Sequence, residues 1–340
     1  MSTIYPSGSI ILAPLAGYTD LPYRRSAQRH GCRLAFTEMI DAGSLIFGHR
    51  KTLRFLERGE SEEWLGIQLV GSDTDTLARA AEIVNGYNFD LLDFNLGCPA
   101  PKVAKKGEGA ALAQRPDDAL RAFESLVRVS RIPVTVKTRI LDEEDPAPTV
   151  ALAKGLEAAG ARAITIHGRI AKNFYSGPVY YEIIAAVRSA LKIQVIANGG
   201  INGRSTLAEA RLRSGCDCVM LARGAMGNPW LFGMLGNVSQ PPPSVAELAD
   251  EMDTHIRELI EFYGEELGMK ISRKVVIDYI GGRGYPGTLR QRISSLVTLR
   301  DFESFMEDVR RGPSPHYWQF LHHNPGHERA LRQEACPVSA

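Results

Sequence analysis

Short apolar segments recur along the first two thirds of the chain and alternate with stretches of helical periodicity. The apolar runs are Ile10–Ala13, Leu34–Phe36, Gly66–Val70, Leu91–Phe94, Val134–Val136, Ala163–Ile166, Gln194–Ala197 and Cys218–Leu221. Amphipathic helix patterns lie between them, at 73–84, 116–129, 149–159, 180–190 and 204–214. Eight strand–helix units predict an α/β fold with a closed (β/α)8 TIM barrel. A doubly wound open sheet is the alternative. Polar residues follow all eight runs, whereas an open sheet concentrates its site at one switch point, so the barrel is favoured.

The pattern changes after Phe232. A Ser-Gln-Pro-Pro-Pro segment at 239–243 is typical of a stiff linker, and Ser244 with Glu247 forms a capping box that begins a helix. The signal then stays helical to about Val309, with no internal repeat. We therefore expect a barrel domain at 1–236, a Pro-rich linker at 237–243, a small helical domain at 244–312 and a loosely ordered tail at 313–340.

Composition narrows the class of protein. The formal charge of the 340 residues is +1, so any nucleic-acid or membrane partner must be bound by a local patch. The five cysteines are scattered and odd in number, which favours a reducing compartment over a disulfide framework. Cys216 and Cys218 form a C-x-C without a second pair at zinc spacing, so we expect no metal and interpret Cys218 as strand core. With neither a leader nor a membrane span, the chain is expected to be soluble and cytoplasmic. Separately, we expect a monomer.

The segment Asp93–Pro99 carries the most specific chemistry. An apolar run leads into Asp93 and Asn95 and stops at a Gly-Cys-Pro turn that contains Cys98. Proline fixes its own backbone and biases the residue before it, so the direction of the thiol is set by the turn. A buried core cysteine is the alternative interpretation of Cys98.

Polar or glycine-containing turns follow all eight predicted strands. They are Pro14–Gly17, Thr37-Glu38, Gln68, Asn95 with Cys98, Lys137 with Arg139, His167 with Arg169, Asn198-Gly199-Gly200 and Arg223-Gly224. Chemistry in a TIM barrel lies at the carboxyl ends of the strands, and the loops after strands seven and eight usually hold a phosphate. The glycines there could instead only permit tight turns, but Arg223 beside them favours an anion.

A phosphate joined to a flat ring over the barrel mouth suggests bound FMN. Gln68, Asn95, Lys137 and His167 could contact such a ring. No G-x-G-x-x-G is found at a strand-to-helix turn, so we expect a nicotinamide coenzyme, NADPH or NADH, to bind only transiently.

Taken together, these residues resemble the dihydrouridine synthases, FMN enzymes that reduce particular uridines of tRNA, and within them the bacterial B-type branch. The resemblance runs from Ile11 to about Val309. Its motifs are Ala13–Asp20, Asn95–Pro99, Lys102 with Gly107-x-Gly109-Ala110-Ala111-Leu112, Val136–Arg139, His167–Arg169 and Asn198–Gly200. It implies reduction of the uridine C5–C6 bond by hydride from the flavin, with NAD(P)H as the reductant.

The resemblance also implies roles for individual residues. Cys98 becomes the general acid, because a thiol is mostly protonated at neutral pH. Flavin contacts fall to Pro14, Leu15, Ala16, Gln68, Lys137, His167, Asn198, Gly199, Gly200, Ala222 and Arg223. Asn95 and Arg139 line the substrate pocket in this resemblance. From their positions in the sequence we also expect substrate contacts by Lys102, Arg169, Arg273 and Lys274. Three positions depart from the family pattern: Ala222 replaces a common Gly, Gly200 a frequent Asp, and Ile170-Ala171 a frequent Thr-Arg, which puts one RNA contact in question.

A basic stretch in the predicted helical domain could meet the tRNA backbone. Between Lys270 and Arg300 there are seven basic residues and one acidic residue, a net charge of +6 (7 − 1). A solvated helix face is the alternative, but phosphate contacts would help to offset the cost of unstacking a uridine. Two other functions compete with this hypothesis. They are an FMN reductase or dehydrogenase of a free pyrimidine, and an RNA-binding module without catalysis.

Overall fold

The computed structural model describes residues 3–236 and 240–313, without the side chains of residues 50 and 51. Within them, eight parallel strands close into a barrel in which each strand pairs with the next and β8 pairs with β1. The strands are β1 Ile10–Leu12, β2 Leu34–Asp41, β3 Leu65–Val70, β4 Leu91–Leu96, β5 Val134–Arg139, β6 Ala163–His167, β7 Gln194–Asn198 and β8 Val219–Leu221. The predicted TIM barrel is confirmed, and the open sheet is excluded.

Helices connect the strands and continue after β8. They are α1 Leu21–Arg29, α2 Ala42–Ile46, α3 Arg50–Arg54, α4 Thr74–Val84, α5 Pro101–Ala104, α6 Ala110–Ala113, α7 Pro116–Val129, α8 Ala147–Ala158, α9 Tyr181–Ala190, α10 Arg204–Ser214, α11 Leu231–Gly236, α12 Val245–Tyr263, α13 Glu265–Ile280, α14 Gly287–Arg292 and α15 Leu299–Arg310, with 3-10 turns at Ala171–Asn173, Arg223–Ala225 and Ile293–Ser295. Predicted helices agree to within about two residues at each end. The short helices were not predicted, because four or five residues show no periodicity.

Strand β2 corrects the predicted end of the second strand. Thr37 and Glu38 do not follow the strand but lie inside it, and the pairing with β3 shifts between Phe36 and Met39. Both polar side chains are buried, and the Thr37 hydroxyl donates to the carbonyl of Glu38. A β-bulge re-aims side chains in this way, so polar residues that look like a strand end can be strand interior.

By compactness the chain divides into two units. The barrel unit comprises Met1–Leu21 with Cys32–Ala222, and the helical unit comprises Pro22–Gly31 with Arg223–Ala340. This division differs from the predicted boundary after residue 236, since α1 packs against helices that follow it by more than 200 residues, as the bond from Arg29 to Glu251 shows. The predicted linker lies partly, and the predicted tail almost wholly, outside the described residues.

The barrel unit has an apolar cluster inside the sheet. Tyr5, Phe36 and Met220 belong to it together with Cys218, so the interpretation of Cys218 as core is confirmed. Aromatic rings fill the space, with Tyr5 and Phe36 each packed against Trp64. This cluster leaves the carboxyl ends of the strands for polar residues. No helix in the described parts of the chain is long and apolar enough to cross a bilayer.

The helical unit is built on its own apolar core. Met252, Ile256, Tyr279, Phe302 and Phe305 lie in this core and are almost fully buried. The predicted capping box is confirmed, because the Ser244 hydroxyl accepts from the backbone N–H of Glu247 while the Glu247 carboxylate accepts from that of Ser244. A second box begins α15.

A buried polar cluster joins α1 to α12 and α13 within the helical unit. The Tyr279 hydroxyl lies 3.1 Å from both Ser26 Oγ and His255 Nδ1. Glu251 pairs with Arg29 at 2.7 Å and with His30 at 2.9 Å. Burial lowers the pKa of His255 to about 4, against the opposing charge of Glu251.

The helical unit should therefore lose stability in mild acid. His255 is neutral in the folded unit, while the unfolded chain takes up a proton below its ordinary pKa of about 6.5, so stability falls as the pH drops from about 6.5 to 4. We expect His255 alone to remove about 2 kcal/mol between pH 7.5 and pH 5. Urea unfolding at both pH values checks this. A His255→Gln variant should lose this contribution, and an unchanged pH dependence in that variant would contradict it.

Candidate active site

The turn after β4 holds Cys98 through its backbone. The side-chain oxygen of Asn95 accepts from the N–H groups of Gly97, at 3.0 Å, and Cys98, at 2.9 Å. On the other side, the N–H of Ala110 donates to the carbonyl of Cys98 at 3.0 Å. Gly109 has a φ of 60°, and a Cβ there would lie 2.7 Å from that carbonyl, so only glycine fits.

Cys98 is the accessible thiol among the described cysteines. Its side chain is partly exposed, whereas Cys32, Cys216 and Cys218 are buried. None of the backbone bonds that fix the turn uses the sulfur. The alternative of a core cysteine is therefore wrong for Cys98, and the thiol is available for chemistry.

A chain of side-chain hydrogen bonds runs from this turn into the barrel. Asn95 Nδ2 donates to Gln68 Oε1 at 2.8 Å, and Gln68 Nε2 donates to Asp93 Oδ2 at 2.7 Å. The other oxygen of Asp93 accepts from the Thr135 hydroxyl at 2.6 Å. All four side chains are buried. A carboxylate that only accepts thus sets the orientation of two amides in turn, and the second amide presents its oxygen to the backbone of Cys98.

The role of Asp93 was not predicted from the sequence. Burial raises the pKa of its carboxyl to about 6, opposed by the bonds from Gln68 and Thr135 and by the charge of Lys137. The available signal was the period of two, which puts Asp93 and Asn95 on the same face of β4.

Strand β5 runs beyond its predicted end at Val136 to Arg139, so Lys137 lies within the strand, and it reaches Asn198 at the end of β7. Lys137 Nζ donates to Asn198 Oδ1 at 3.1 Å, and Asn198 Nδ2 donates to the carbonyl of Met220 at 2.7 Å. Burial, and then the charge of Arg139, lowers the pKa of Lys137 to about 8. The ammonium is therefore mostly charged at neutral pH but loses its proton more readily than that of an exposed lysine, which suits a group that meets an electron-rich ligand.

The turn after β7 requires both of its glycines. Gly199 and Gly200 have φ values of 117° and 73°. A Cβ on Gly199 would lie 2.8 Å from His167 Cδ2, and one on Gly200 would lie 3.1 Å from Val179 and 3.2 Å from the Tyr181 hydroxyl. That hydroxyl donates to the carbonyl of Gly199 at 2.6 Å. The turn is fixed by its neighbours with the backbone uncovered by side chains, as a close approach by an anion needs.

Two arginines predicted to touch substrate also brace the loops of the barrel rim. Arg139 Nε donates to the carbonyl of Gly97 at 2.8 Å, and its Nη1 donates to that of Phe174 at 2.7 Å. Arg169 Nε donates to the carbonyl of Gly177 at 3.0 Å, and its Nη1 lies 3.4 Å from His167 Nε2. Both are buried, so bracing is what the structure shows, and their contact with substrate stays a prediction.

The turn after β1 is closed on itself. The hydroxyl of Thr19 accepts from the N–H of Leu15 at 3.0 Å, and the carbonyl of Leu15 accepts from the N–H groups of Tyr18 and Thr19. Ala16 is exposed, while Pro14 and Leu15 are partly buried. Glu38, from the bulge of β2, accepts from the N–H of Gly17. The main chain of Leu15 is engaged within the turn, and contact of Pro14, Leu15 and Ala16 with a ligand stays a prediction.

The other predicted residues are divided between the two units. Lys102 is exposed on α5, and Lys106 in the same loop pairs with Asp41 at 2.6 Å, which ties the loop to the end of β2. Ala222 ends the barrel unit, and Arg223 begins the helical unit. Arg273 and Lys274 are partly buried on α13 of the helical unit.

The structure thus brings together the strand-end residues of the barrel unit. In the sheet register Asn95 neighbours Lys137, Arg139 neighbours His167, and His167 neighbours Asn198. Over residues 3–236 and 240–313 no group of three or more histidine, cysteine, aspartate or glutamate side chains could hold a metal ion. The site is a ring of hydrogen-bonding groups around one accessible thiol.

Comparison with known proteins identifies the family of the chain. The family model described as "Dihydrouridine synthase (Dus)" matches residues 11–311. A protein of Rhodobacter capsulatus named "Probable tRNA-dihydrouridine synthase" is 38% identical over 78% of this chain and 84% of its own. The "tRNA-dihydrouridine synthase B" of Pasteurella multocida is 35% identical over 86% and 90%.

One solved structure that resembles the chain is far more distant. Histamine dehydrogenase from Rhizobium sp. 4-9 is 13% identical over 74% of this chain and 48% of that one, with a TM-score of 0.48. That likeness bears neither on the site nor on its chemistry. The family match, by contrast, covers nearly all of the described barrel and helical segments. The chain belongs to the dihydrouridine synthase family of oxidoreductases.

Proposed function

We propose that this protein is an FMN-dependent tRNA-dihydrouridine synthase that uses NAD(P)H to reduce the C5–C6 double bond of particular D-loop uridines in tRNA. The observation that carries the proposal is Cys98, an accessible thiol held by Asn95 in a ring with Lys137, His167 and Asn198. tRNA and NAD(P)H are its partners and the cytoplasm its compartment. One copy of the chain suffices, because every strand-end residue comes from the same barrel.

The residues present fit a flavin mononucleotide. The turn at Gly199 and Gly200, where a Cβ would collide with His167, Val179 or Tyr181, would offer its main chain to the phosphate. Asn198, Ala222 and, next in the chain, Arg223 would complete the phosphate contacts. The backbone of Pro14, Leu15 and Ala16 and the side chains of Lys137 and His167 would hold the ring. Gln68 has both ends of its amide engaged inside the barrel, so it supports the ring through Asn95 as much as by direct contact. Bound FMN supplies the hydride for C6 of the uracil.

The chain itself supplies the proton. The S–H of Cys98 donates to C5 of the uracil as C6 receives the hydride, which leaves a thiolate and a saturated ring. Asn95 keeps the turn in place without occupying the sulfur, so the thiol can face the base. Because the Cys98 side chain is partly exposed, solvent can return the proton once the product leaves. The charge of Lys137 is close enough to the sulfur to interact with it.

The helical unit provides basic residues for the RNA backbone, though fewer than the sequence suggested. Arg283 is fully buried and donates to the carbonyls of Gly227 and Tyr279, so its inclusion in the predicted basic surface was wrong. Arg273 donates to the carbonyl of Leu296 at 2.9 Å, and Arg292 pairs with Asp308. Exposed cations remain at Lys270, Arg290 and Arg300, and Lys274 is partly exposed.

Reversing the charges of Lys270 and Lys274 together should weaken tRNA binding. The two residues are one turn apart on α13, so both can meet one stretch of phosphates. We expect a loss of roughly tenfold in affinity and a salt dependence that is shallower by about one ion for each lost contact, with normal flavin binding. Filter binding at several salt concentrations measures both. The matched control reverses Lys154 and Lys192 on the barrel unit, and an equal loss there would contradict a specific contact.

The proposed function is tested directly with tRNA that lacks dihydrouridine. The purified protein is incubated with this RNA and NADPH, and new dihydrouridine is mapped by mass spectrometry. Product at defined D-loop positions supports the proposal. A protein that contains reducible flavin but acts on free uracil or orotate, and not on tRNA, would instead be a pyrimidine reductase.

A further inference from the structure

The loop after β6 holds a phenylalanine in a strained conformation at the surface. Phe174 has a φ of 49° and a ψ of −95°. Within the part of the chain that the structure describes, no other non-glycine residue has a positive φ. Such a conformation is unfavourable for a residue other than glycine and persists only where the surroundings impose it. Phe174 is 44% exposed and Tyr175 is 48% exposed. Burial of the aromatic rings therefore does not explain the strain.

Hydrogen bonds from the barrel hold this loop. Arg139 Nη1 donates to the carbonyls of Phe174, at 2.7 Å, and Ile170, at 3.3 Å, while Arg169 donates to that of Gly177. Within the loop, the N–H of Phe174 donates to the carbonyl of Ala171. The loop is thus fixed before any ligand arrives, with buried guanidinium groups supporting an exposed aromatic side chain.

The same guanidinium joins this loop to the catalytic turn. Arg139 Nε donates to the carbonyl of Gly97, the residue before Cys98, while its Nη1 holds Phe174. The ring of Tyr175 lies 5.6 Å from the guanidinium carbon and 6.4 Å from the ring of His167. Phe174 is therefore at the edge of the site where the thiol acts. Lys172, also exposed, lies two residues before it.

We propose that Phe174 is a stacking site for the nucleotide next to the target uridine. The inference rests on the proposed function. A uracil that reaches Cys98 must leave its stack, so an adjacent base loses a neighbour and exposes a face at the rim. An exposed aromatic ring beside a lysine is the combination that binds unpaired nucleotides, through stacking and a phosphate contact. Fixing Phe174 in advance reduces the ordering cost of binding.

The first part of the test changes the aromatic ring of Phe174. Phe174→Leu keeps the apolar character but removes the flat face, and should weaken binding of dihydrouridine-free tRNA roughly 5- to 100-fold. Phe174→Trp should bind at least as well as the wild type. Tyr87→Leu is the matched control, because Tyr87 is 42% exposed in the loop before β4, at the opposite end of that strand from Cys98, and it should change nothing.

A double-substitution cycle separates stacking from a merely structural loss. tRNA with an abasic site on the 5′ or the 3′ side of the target should lose affinity for the wild type on one side only. Phe174→Leu should show no further loss on that side. Provided that the wild type forms dihydrouridine, either of two results would overturn the proposal. One is equal tRNA affinity of the wild type and Phe174→Leu, and the other is losses of affinity that add on both sides of the target. Absence of dihydrouridine with the wild type would instead count against the proposed function.

Discussion

Replacing Cys98 by alanine should lower the rate of dihydrouridine formation at least 100-fold, while FMN stays bound and reducible. A positioned general acid contributes about 10²- to 10⁴-fold, and Cys98 is the thiol of the strand-end ring. The turn should survive the change, because it is held by the backbone N–H and carbonyl of Cys98 and not by the sulfur. Single-turnover formation of dihydrouridine and NADPH-driven bleaching of flavin absorbance measure the two effects separately.

A matched cysteine provides the control for this experiment. Cys216 is buried in the loop before β8, at the end of the barrel away from the strand-end ring, so Cys216→Ala should turn over normally. Cys98→Ser keeps the shape but is a far weaker acid, and should be nearly as slow as alanine. Normal turnover in Cys98→Ala would remove the thiol from the mechanism.

Replacing Asp93 by alanine should lower turnover roughly 10- to 100-fold, although Asp93 lies two hydrogen bonds from Asn95, which holds the Cys98 turn. Without the carboxylate at residue 93, the Gln68 nitrogen loses its acceptor, and the Gln68 amide can flip by 180°. The Gln68 nitrogen would then face Asn95 Nδ2, donor against donor, and Asn95 would lose the orientation that holds Cys98. Steady-state kinetics with tRNA, together with flavin content, measure the loss.

The Asp93→Asn variant makes this prediction specific to the carboxylate. Its new amide can accept from Gln68 with the oxygen but must donate to Thr135, so this variant should be slower than wild type by less than the alanine variant is. Because burial raises the pKa of Asp93 to about 6, the wild type carries the carboxylate above pH 6 and the neutral acid below it. The ratio of wild-type to Asp93→Asn turnover should therefore be larger at pH 8 than at pH 5. A ratio independent of pH would indicate a role in packing alone.

The fold could be predicted because each strand is a short apolar run between two helical patterns. The end of the second strand was missed, since Thr37 and Glu38 interrupt that run while the chain remains in the sheet. The position of Cys98 could also be predicted, because the turn is local and its proline and glycines are visible in the sequence. What supports the turn is not local: Arg139 reaches back 42 residues to Gly97, and no pattern encodes that distance.

Charge counting failed for a related physical reason. Arg283 was counted with the surface cations, but its guanidinium packs against the ring of Trp230 and donates to buried carbonyls. A buried arginine and a solvated one are identical in a sequence, and only the packing around them differs. Tests of tRNA binding should therefore use Lys270 and Lys274 and leave Arg283 alone.

The place of α1 in the helical unit has a consequence for synthesis on the ribosome. Arg29 must wait for Glu251, 222 residues further along, before its ion pair can form. At about 5–20 residues per second this is roughly 10 to 45 s of translation, during which the helix has no final partners. During that interval α1, which lies between β1 and β2 in the chain, has not yet packed against α12 and α13. In a chain that ends before α12, these contacts never form. In ribosome-bound chains of increasing length, α1 should accordingly become resistant to protease only after α12 and α13 have emerged.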